Sequence, residues 1–164
     1  MQNMTPEQAL DDAQPCQLSY HDGSTRTVYI SDTETPFPFG KLIVSRTDTS
    51  GVITHMNQAF IDMSGFTEDE LIGQPHAILR HPDMPRAVFK EIWETAGRGE
   101  KWSGYVKNLR KDGGYYWVNA TVIPNYRNGE LVGFSSVRRK PSPSKIAEIV
   151  AVYEAMKEEE VCQS

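Results

Sequence analysis

Cysteine is scarce in this chain of 164 residues, since only Cys16 and Cys162 occur, near opposite ends. Two cysteines so far apart in polar segments provide neither a disulfide framework nor the ligand spacing of a structural zinc site. No apolar run approaches the roughly 18 residues that cross a bilayer, and the N-terminus lacks the basic start and apolar stretch of a secretory signal. We therefore expect a cytoplasmic protein without a membrane span.

Sequence motifs for catalysis are also missing. The chain has no Ser-His-Asp motif, no metal-ligand spacing, no phosphate-binding glycine loop and no kinase motif. An excess of basic charge is missing too: the net charge is −5, and residues 36–164 hold sixteen acidic and sixteen basic residues, whereas residues 1–35 hold six and one. We therefore expect neither an enzyme nor a protein that binds nucleic acid.

The chain does contain enough apolar sequence for one domain. With 38% hydrophobic and 10% aromatic residues, it can bury the core of one domain of ordinary size. Residues 1–36 are rich in proline and polar residues, and only the alternating pattern of residues 26–30 indicates a short strand. We therefore predict a mostly irregular arm over 1–36, a folded domain over 37–140, and an amphipathic helix with a tail over 141–164.

The predicted domain combines short strands with short helices. Two β-branched stretches, LIVSRTD and VITHMN, predict a hairpin; Asn57 and Thr67 are then placed to cap two short helices, and a longer amphipathic helix follows Pro85. Three further β-rich stretches, separated by a Lys-Asp-Gly-Gly turn and an Asn-Gly turn, predict an antiparallel meander. Together these elements predict an α+β fold, a five-stranded antiparallel sheet with short helices on one face.

A last helix is predicted after this domain. Ser144 can cap it, and an apolar stripe follows along one side, formed by Ile146, Ile149, Val150, Tyr153 and Met156. Because the domain already has apolar residues for its own core, the stripe must cover the outer face of the sheet or another chain. We therefore predict that this helix or the sheet docks a signalling partner or a second copy of the chain, forming a homodimer.

Two long stretches of the sequence resemble one known family. LIGQPHAILRHPDMPRAVFKEIWET and KWSGYVKNLRKDGGYYWVNATVIPN are similar to the PAS domain of bacterial aerotaxis receptors, and the resemblance covers roughly residues 42–138. In that family the PAS domain binds FAD and senses redox state. The resemblance therefore implies a PAS sensory module that binds FAD and responds to redox state or oxygen, in signal transduction of the aerotaxis or energy-taxis kind.

The RHPDMP loop carries the most specific candidate residues for FAD. Arg80, His81 and Asp83 place a fixed cation, a titratable ring and a carboxylate between two prolines. An arginine can donate to a diphosphate and an aspartate can accept from sugar hydroxyls. The alternative is a loop that satisfies itself, in which Asp83 caps the following helix and pairs with Arg80. The resemblance implies that this loop holds FAD.

Four further residues match family positions linked to the flavin or its signalling. The resemblance implies that Trp93 lies close to the isoalloxazine, where an indole suits stacking, although its place on an apolar helix face is also typical of core packing. Asn57, Asn108 and Tyr116 match positions of the flavin pocket, and an amide is a natural partner for the N–H and C=O edge of the ring. Each of these three also has a structural alternative, as a helix cap, a strand residue or a core tyrosine.

Other cofactors fit the sequence less well. A haem needs an axial histidine that faces an apolar cavity, whereas His76 and His81 lie in polar loop sequence and His55 lies in a strand. Covalent flavin photochemistry needs a cysteine beside the ring, and both Cys16 and Cys162 lie outside the predicted sheet domain. The remaining alternative is a cofactor-free PAS module for dimerisation or partner docking, in which the candidate residues are structural.

The chain ends at Ser164, without the membrane anchor and long helical signalling domain that follow the PAS domain in aerotaxis receptors. We therefore expect the signal to leave through a partner. Both a stand-alone sensor and a fragment of a longer protein fit the sequence, and the polar Cys-Gln-Ser end favours a natural terminus.

Overall fold

Seven strands and four α-helices make up the part of the chain that the computed structural model describes, the backbone of residues 1–163 and the side chains of residues 1–160. The strands are β1 (Gln14–Ser19), β2 (Thr25–Ile30), β3 (Ile43–Thr47), β4 (Ile53–Met56), β5 (Trp102–Leu109), β6 (Tyr115–Arg127) and β7 (Glu130–Arg139). The helices are α1 (Gln58–Ser64), α2 (Glu68–Leu71), α3 (Arg86–Gly97) and α4 (Pro143–Gln163), and a 3-10 helix spans His76–Leu79 between α2 and α3.

Strands β3 to β7 form one antiparallel sheet in the order β4-β3-β7-β6-β5. Local signals set its connections: Asn57 caps α1, Thr67 and Glu70 form a capping box on α2, and Gly65 ends α1 at a positive φ of 77°. The five-stranded antiparallel sheet and its short helices confirm the predicted α+β architecture.

The two faces of this sheet have different neighbours. Because side chains alternate along a strand, Val106 and Val118 pair on one face, whereas Lys107 and Trp117 pair on the other. The first, which we call the inner face, packs against α1, α2, the 3-10 helix and α3; the buried residues of these helical segments include Phe60, Leu71, Leu79, Val88 and Ile92. The second, the outer face, is the side on which α4 packs.

Residues 1–36 contain more regular structure than the sequence predicted. The expected strand is present as β2, but β1 pairs with it along its whole length, and Gly23 turns the hairpin with a φ of 84°. Pro15 is tolerated because β1 has only one neighbouring strand and needs no hydrogen bond on its other side. The hairpin has a small apolar cluster of its own with Met4, Leu18, Tyr20, Val28 and Leu109. The sequence therefore predicted one strand of this segment and missed its partner β1, and the division of the chain at residues 36 and 140 stays a prediction.

Helix α4 packs on the outer face of the sheet in its own chain. It begins at Pro143, one residue before the predicted cap Ser144. Tyr153 is 7% exposed, its hydroxyl donates to the Tyr105 carbonyl oxygen at 2.6 Å, and its ring stacks on Trp117 at 6.3 Å between centroids. The side chain of Cys162 lies outside the described residues. Across residues 1–163 no helix is both long enough and apolar enough to cross a membrane.

Candidate functional site

A small cavity lies between the inner face of the sheet and the helical segments that cover it. Its polar lining side chains are Ser45, Thr47, His76, Arg80, Asn108, Ser136 and Arg138. Its apolar lining side chains are Leu79, Phe89, Ile92, Trp93, Trp102, Val106, Ala120, Val122 and Phe134. A mostly apolar wall with a few polar groups is the composition typical of a small-molecule site.

Arg138 on β7 is the most unusual group in this wall. It is only 2% exposed, and its Nη2 donates to Ser45 Oγ at 3.0 Å and to His76 Nε2 at 2.7 Å. The guanidinium carbon lies 5.1 Å from the centre of the Phe60 ring. Among the salt bridges formed by residues 1–160, none reaches Arg138. A buried cation without a carboxylate is costly, so this position suits a ligand that is anionic or accepts hydrogen bonds.

The charges around Arg138 are well defined at neutral pH. Burial, reinforced by the charge of Arg138, lowers the pKa of His76 to about 3, so the imidazole is neutral. Because His76 Nε2 accepts from Arg138, its Nδ1 carries the proton. Burial lowers the pKa of Arg138 to about 10, which leaves the guanidinium charged. The cavity wall therefore presents one positive charge beside a neutral ring.

Several buried polar atoms near the cavity lack a hydrogen-bond partner. Within residues 1–160, the buried side-chain atoms without a partner are Tyr20 Oη, Arg80 Nε, Asn108 Nδ2, Tyr116 Oη and Arg138 Nη1. Three of them are N–H donors of cavity-lining residues. A buried polar group left without a partner costs roughly 1–3 kcal/mol, and most find one. Three such donors around one cavity indicate a ligand with hydrogen-bond acceptors.

The structure brings three of the predicted site residues, Arg80, Trp93 and Asn108, together at this cavity. The backbones of Arg80 and Asn108 form a β-bridge, and the Arg80 guanidinium lies 5.2 Å from the centre of the Phe89 ring. Trp93 is 37% exposed and meets Phe134 edge-on at 5.5 Å. Trp93 therefore lies at the cavity rather than fully inside the core.

His81 and Asp83 do not line the cavity, although they belong to the same RHPDMP loop as Arg80. His81 is 2% exposed, and its Nδ1 accepts a hydrogen bond from the Asp83 N–H at 3.0 Å. The Asp83 carboxylate accepts from Lys107 Nζ at 2.8 Å, on the outer-face side of the sheet. The alternative in which Asp83 caps α3 and pairs with Arg80 is wrong, because Lys107 is its partner and no side chain caps α3. The loop is thus two-sided: Arg80 faces the cavity, and Asp83 faces the outer side of the sheet.

The ionisation of this second cluster follows from burial and from Lys107. Burial, reinforced by the charge of Lys107, lowers the pKa of His81 to about 4. Burial is the largest single effect on Asp83 and opposes its ionisation, but the hydrogen bond from Lys107 and the nearby charges of Lys107, His81 and Lys157 together outweigh burial and lower the pKa of Asp83. Lys107 Nζ also lies 4.3 Å from the centre of the Tyr115 ring. At neutral pH the loop therefore carries a neutral histidine beside an aspartate–lysine pair.

Asn57 and Tyr116 are not among the residues that line the cavity. Asn57 Oδ1 accepts from the Phe60 N–H at 3.0 Å and the Val44 N–H at 3.1 Å, and its Nδ2 donates to the Leu42 carbonyl at 2.9 Å. Its amide thus joins α1 to the β3 region. Tyr116 pairs with Asn108 in the sheet register, and burial raises the pKa of its phenol to about 12. That Asn57 and Tyr116 contact a flavin or take part in its signalling stays a prediction.

Sequence reasoning missed Arg138 and Ser45, and it considered His76 only as a haem ligand. Arg138 follows Phe134 and Ser136 at the period-two spacing of a strand, so it falls on the inward face. A charged residue at an inward strand position is a usable signal, because arginine is rarely buried without a reason. No comparable signal marks His76, which follows Pro75 at the start of the 3-10 helix.

The cavity measures about 50 Å³, which is room for a few water molecules. Pockets for small ligands usually have about 300 Å³ or more. A flat ring system therefore enters only if lining side chains move, and Phe89 and Trp93 are partly exposed and able to do so. The donor set fits an acceptor-rich ring. The described residues contain no cluster of three or more His, Cys, Asp or Glu side chains placed to hold a metal ion.

Comparisons with known proteins identify related sequences. A family model described as the PAS fold matches residues 53–138, just over half of the 164 residues. The chain is 43% identical over 128 residues to the aerotaxis receptor of Escherichia coli (strain K12), a match that covers 78% of this chain and 25% of the receptor. It is 31% identical over 102 residues to the nitrogen fixation regulatory protein of Klebsiella pneumoniae, covering 62% of this chain and 21% of that protein. The chain thus spans a quarter or less of the length of these relatives.

Solved structures share the fold. The PAS domain of a protein from Colwellia psychrerythraea aligns with a TM-score of 0.57 at 26% identity, covering 64% of this chain and 90% of that chain. The light state of the blue-light photoreceptor Aureochrome1 LOV aligns with a TM-score of 0.60 at 20% identity, covering 69% of this chain and 91% of that chain. Together with the family match, these alignments confirm the predicted fold and the resemblance to aerotaxis-receptor PAS domains.

Proposed function

Because this chain belongs to the PAS family, we propose that it is a sensory module that binds FAD in the cavity of the inner face and senses redox state or oxygen. The resemblance to aerotaxis-receptor PAS domains supports the choice of FAD. The observation that carries the proposal is the set of three buried N–H donors without partners around one cavity. In this role the chain signals to a protein partner or a second copy rather than catalysing a reaction.

The sheet supplies the groups that would hold the flavin ring. When bound, FAD provides reversible electron transfer at its isoalloxazine ring. Asn108 Nδ2 and Arg138 Nη1 are donors for the carbonyl and ring-nitrogen acceptors of such a ligand. The fixed charge of Arg138, held by Ser45 and His76, favours a ligand that carries or gains negative charge. A site of this kind is therefore sensitive to reduction of what it holds.

The helical side of the cavity supplies the remaining groups. Arg80 is half-buried, so its guanidinium can donate to a diphosphate that keeps some contact with solvent. Trp93 offers a flat and partly exposed indole for stacking. His81, Asp83 and Asn57 support these groups indirectly, because their hydrogen bonds hold the RHPDMP loop and the start of α1.

A titration with a matched pair of variants tests the proposal. FAD and FMN are added to the purified protein, and binding is followed by flavin fluorescence, for the wild type, Arg138→Met and Arg139→Met. Arg139 is the exposed neighbour of Arg138 and serves as the control. We expect Arg138→Met to weaken binding at least tenfold, since it removes a charged donor worth roughly 1.5–3 kcal/mol, while Arg139→Met matches the wild type. If Arg138→Met and the wild type bind the flavin with equal affinity and have the same circular dichroism, Arg138 does not contact the flavin.

The small volume of the cavity favours a second candidate, a cofactor-free PAS module for dimerisation or partner docking. In that case Trp93 and the RHPDMP loop are structural, and the protein takes up neither FAD nor FMN. Saturable FAD binding by the folded wild type excludes this alternative, whereas its absence at high FAD concentration supports it.

A further inference from the structure

The RHPDMP loop touches both the cavity and the C-terminal helix. On one side Arg80 lines the cavity and bridges to β5. On the other side, the Pro82 carbonyl oxygen accepts a hydrogen bond from Lys157 Nζ on α4. Lys157 is half-buried, so this bond is protected from solvent on one side. Only His81 lies between Arg80, which faces the ligand site, and Pro82, which holds α4.

A second contact from α4 reaches the start of α3. Glu160 Oε1 accepts from the Ala87 N–H at 3.0 Å, and Glu160 Oε2 lies 3.8 Å from Arg86 Nε. This carboxylate also lies at the N-terminus of α3, where the positive end of the helix dipole favours a negative charge. Because α3 carries Phe89 and Trp93, both parts of the helical cavity wall are held by the last turns of α4.

Apolar packing alone does not hold this end of α4. A cleft of about 290 Å³ opens beside it, lined by Asp83, Met84, Lys107 and Trp117 on one side and by α4 residues including Tyr153 and Lys157 on the other. Tyr153 and Met156 pack on the core beside this cleft, and the polar contacts of Lys157 and Glu160 add to that packing by fixing the last turns of α4 to the loop and to α3.

We propose that Lys157 and Glu160 are positioning residues of the cavity, and that docking of α4 and binding in the cavity are coupled. The docked helix holds the RHPDMP loop and α3 in the arrangement that keeps Arg80 and Trp93 at the ligand. By linkage, a ligand that needs this arrangement strengthens docking of α4 by the same factor. The proposal rests on the proposed function for the identity of the ligand, FAD.

The test compares Lys157→Met with Lys145→Met, the same substitution at an exposed residue of the same helix. FAD affinity is measured by fluorescence titration, and hydrogen exchange is measured over residues 80–97 and 146–160 with and without FAD. We expect Lys157→Met to weaken FAD binding about tenfold, and to abolish the slowing of exchange in α4 that FAD causes in the wild type. Lys145→Met should match the wild type, and Lys157→Arg, which keeps a donor, should restore most of the affinity.

The outcomes separate this inference from the proposed function. If the wild type binds FAD and Lys157→Met binds it equally well, α4 does not position the cavity. If the wild type does not bind FAD, the proposed function fails, and the positioning role is then decided by exchange over residues 80–97 without ligand. Faster exchange there in Lys157→Met than in Lys145→Met supports positioning by α4, and equal exchange overturns it. Matching circular dichroism of the three variants excludes general unfolding as the cause.

Discussion

Mild acid should destabilise this protein because two of its histidines are buried without charge. Burial lowers the pKa of His76 to about 3 and that of His81 to about 4, against an ordinary value of 6.5. The groups that face them are Arg138 for His76, and Lys107, Asp83, Lys157 and Tyr115 for His81. Since each folded pKa lies below the unfolded one, the unfolded chain binds the proton first. Stability is therefore full above about pH 6.5 and falls as the pH drops toward the folded values.

The size of the loss follows from the same pKa values. One pKa unit corresponds to about 1.4 kcal/mol, so at pH 5 each histidine lowers the free energy of unfolding by about 2 kcal/mol relative to pH 7. The two together remove about 4 kcal/mol, a large part of the roughly 5–15 kcal/mol of a typical domain. The pKa values of Glu70 and Asp83 are lowered in the folded protein. The stability that these two carboxylates contribute is therefore lost only when the pH falls to about their ordinary pKa values of 4.5 and 3.8. The interval from pH 7 to pH 5 therefore isolates the histidines.

Urea unfolding without added flavin, followed by circular dichroism at pH 7, 6 and 5, measures this loss. His76→Gln keeps an acceptor for Arg138 and His81→Asn keeps an acceptor for the Asp83 N–H, but neither replacement titrates. We expect each single variant to lose about half as much stability as the wild type over this interval, and the double variant to lose little. A double variant with the same pH dependence as the wild type would show that the two histidines do not cause the loss of stability.

Three further substitutions test separate parts of the structure. Trp93→Phe should keep FAD bound but raise the fluorescence of the bound flavin, because an indole in contact with the flavin quenches that fluorescence. Unchanged fluorescence would mean that Trp93 only packs in the core. Tyr153→Phe removes the hydrogen bond to the Tyr105 carbonyl and should lower the free energy of unfolding by about 1 kcal/mol, measured in urea, whereas no change means that this bond does not anchor α4. Arg80→Ala should weaken FAD binding with unchanged circular dichroism, and full flavin content in this variant removes Arg80 from the site.

Local patterns were sufficient to predict the sheet and its short helices. Alternation of period two marked β3 to β7, and turn residues such as Asn128-Gly129 marked their connections, because these signals act between neighbours in the chain. Asn57 shows the same locality, since its position before an apolar run predicted the cap that it forms. The β1 strand was missed because its apolar alternation is weak and Pro15 argues against a strand.

The site was harder to predict from the sequence than the fold, because its contacts join distant parts of the chain. Arg138 meets His76 across 62 positions of sequence, and only the folded sheet shows that the pair lacks a carboxylate. The two-sided RHPDMP loop is a similar case. Its composition indicated a ligand for Arg80 and Asp83 alike, but a turn follows Arg80, closed by a hydrogen bond from the Met84 N–H to the His81 carbonyl oxygen, so Arg80 lies at the cavity and Asp83 at Lys107.

The most direct test of FAD binding is the absorption spectrum of the purified protein, saturated with FAD and freed of excess, before and after anaerobic addition of dithionite. We expect the bands of an oxidised flavin, retained by the protein through gel filtration and lost on reduction. Circular dichroism of the same sample confirms that the domain is folded. A folded protein that remains colourless after incubation with FAD would show that the domain does not bind FAD.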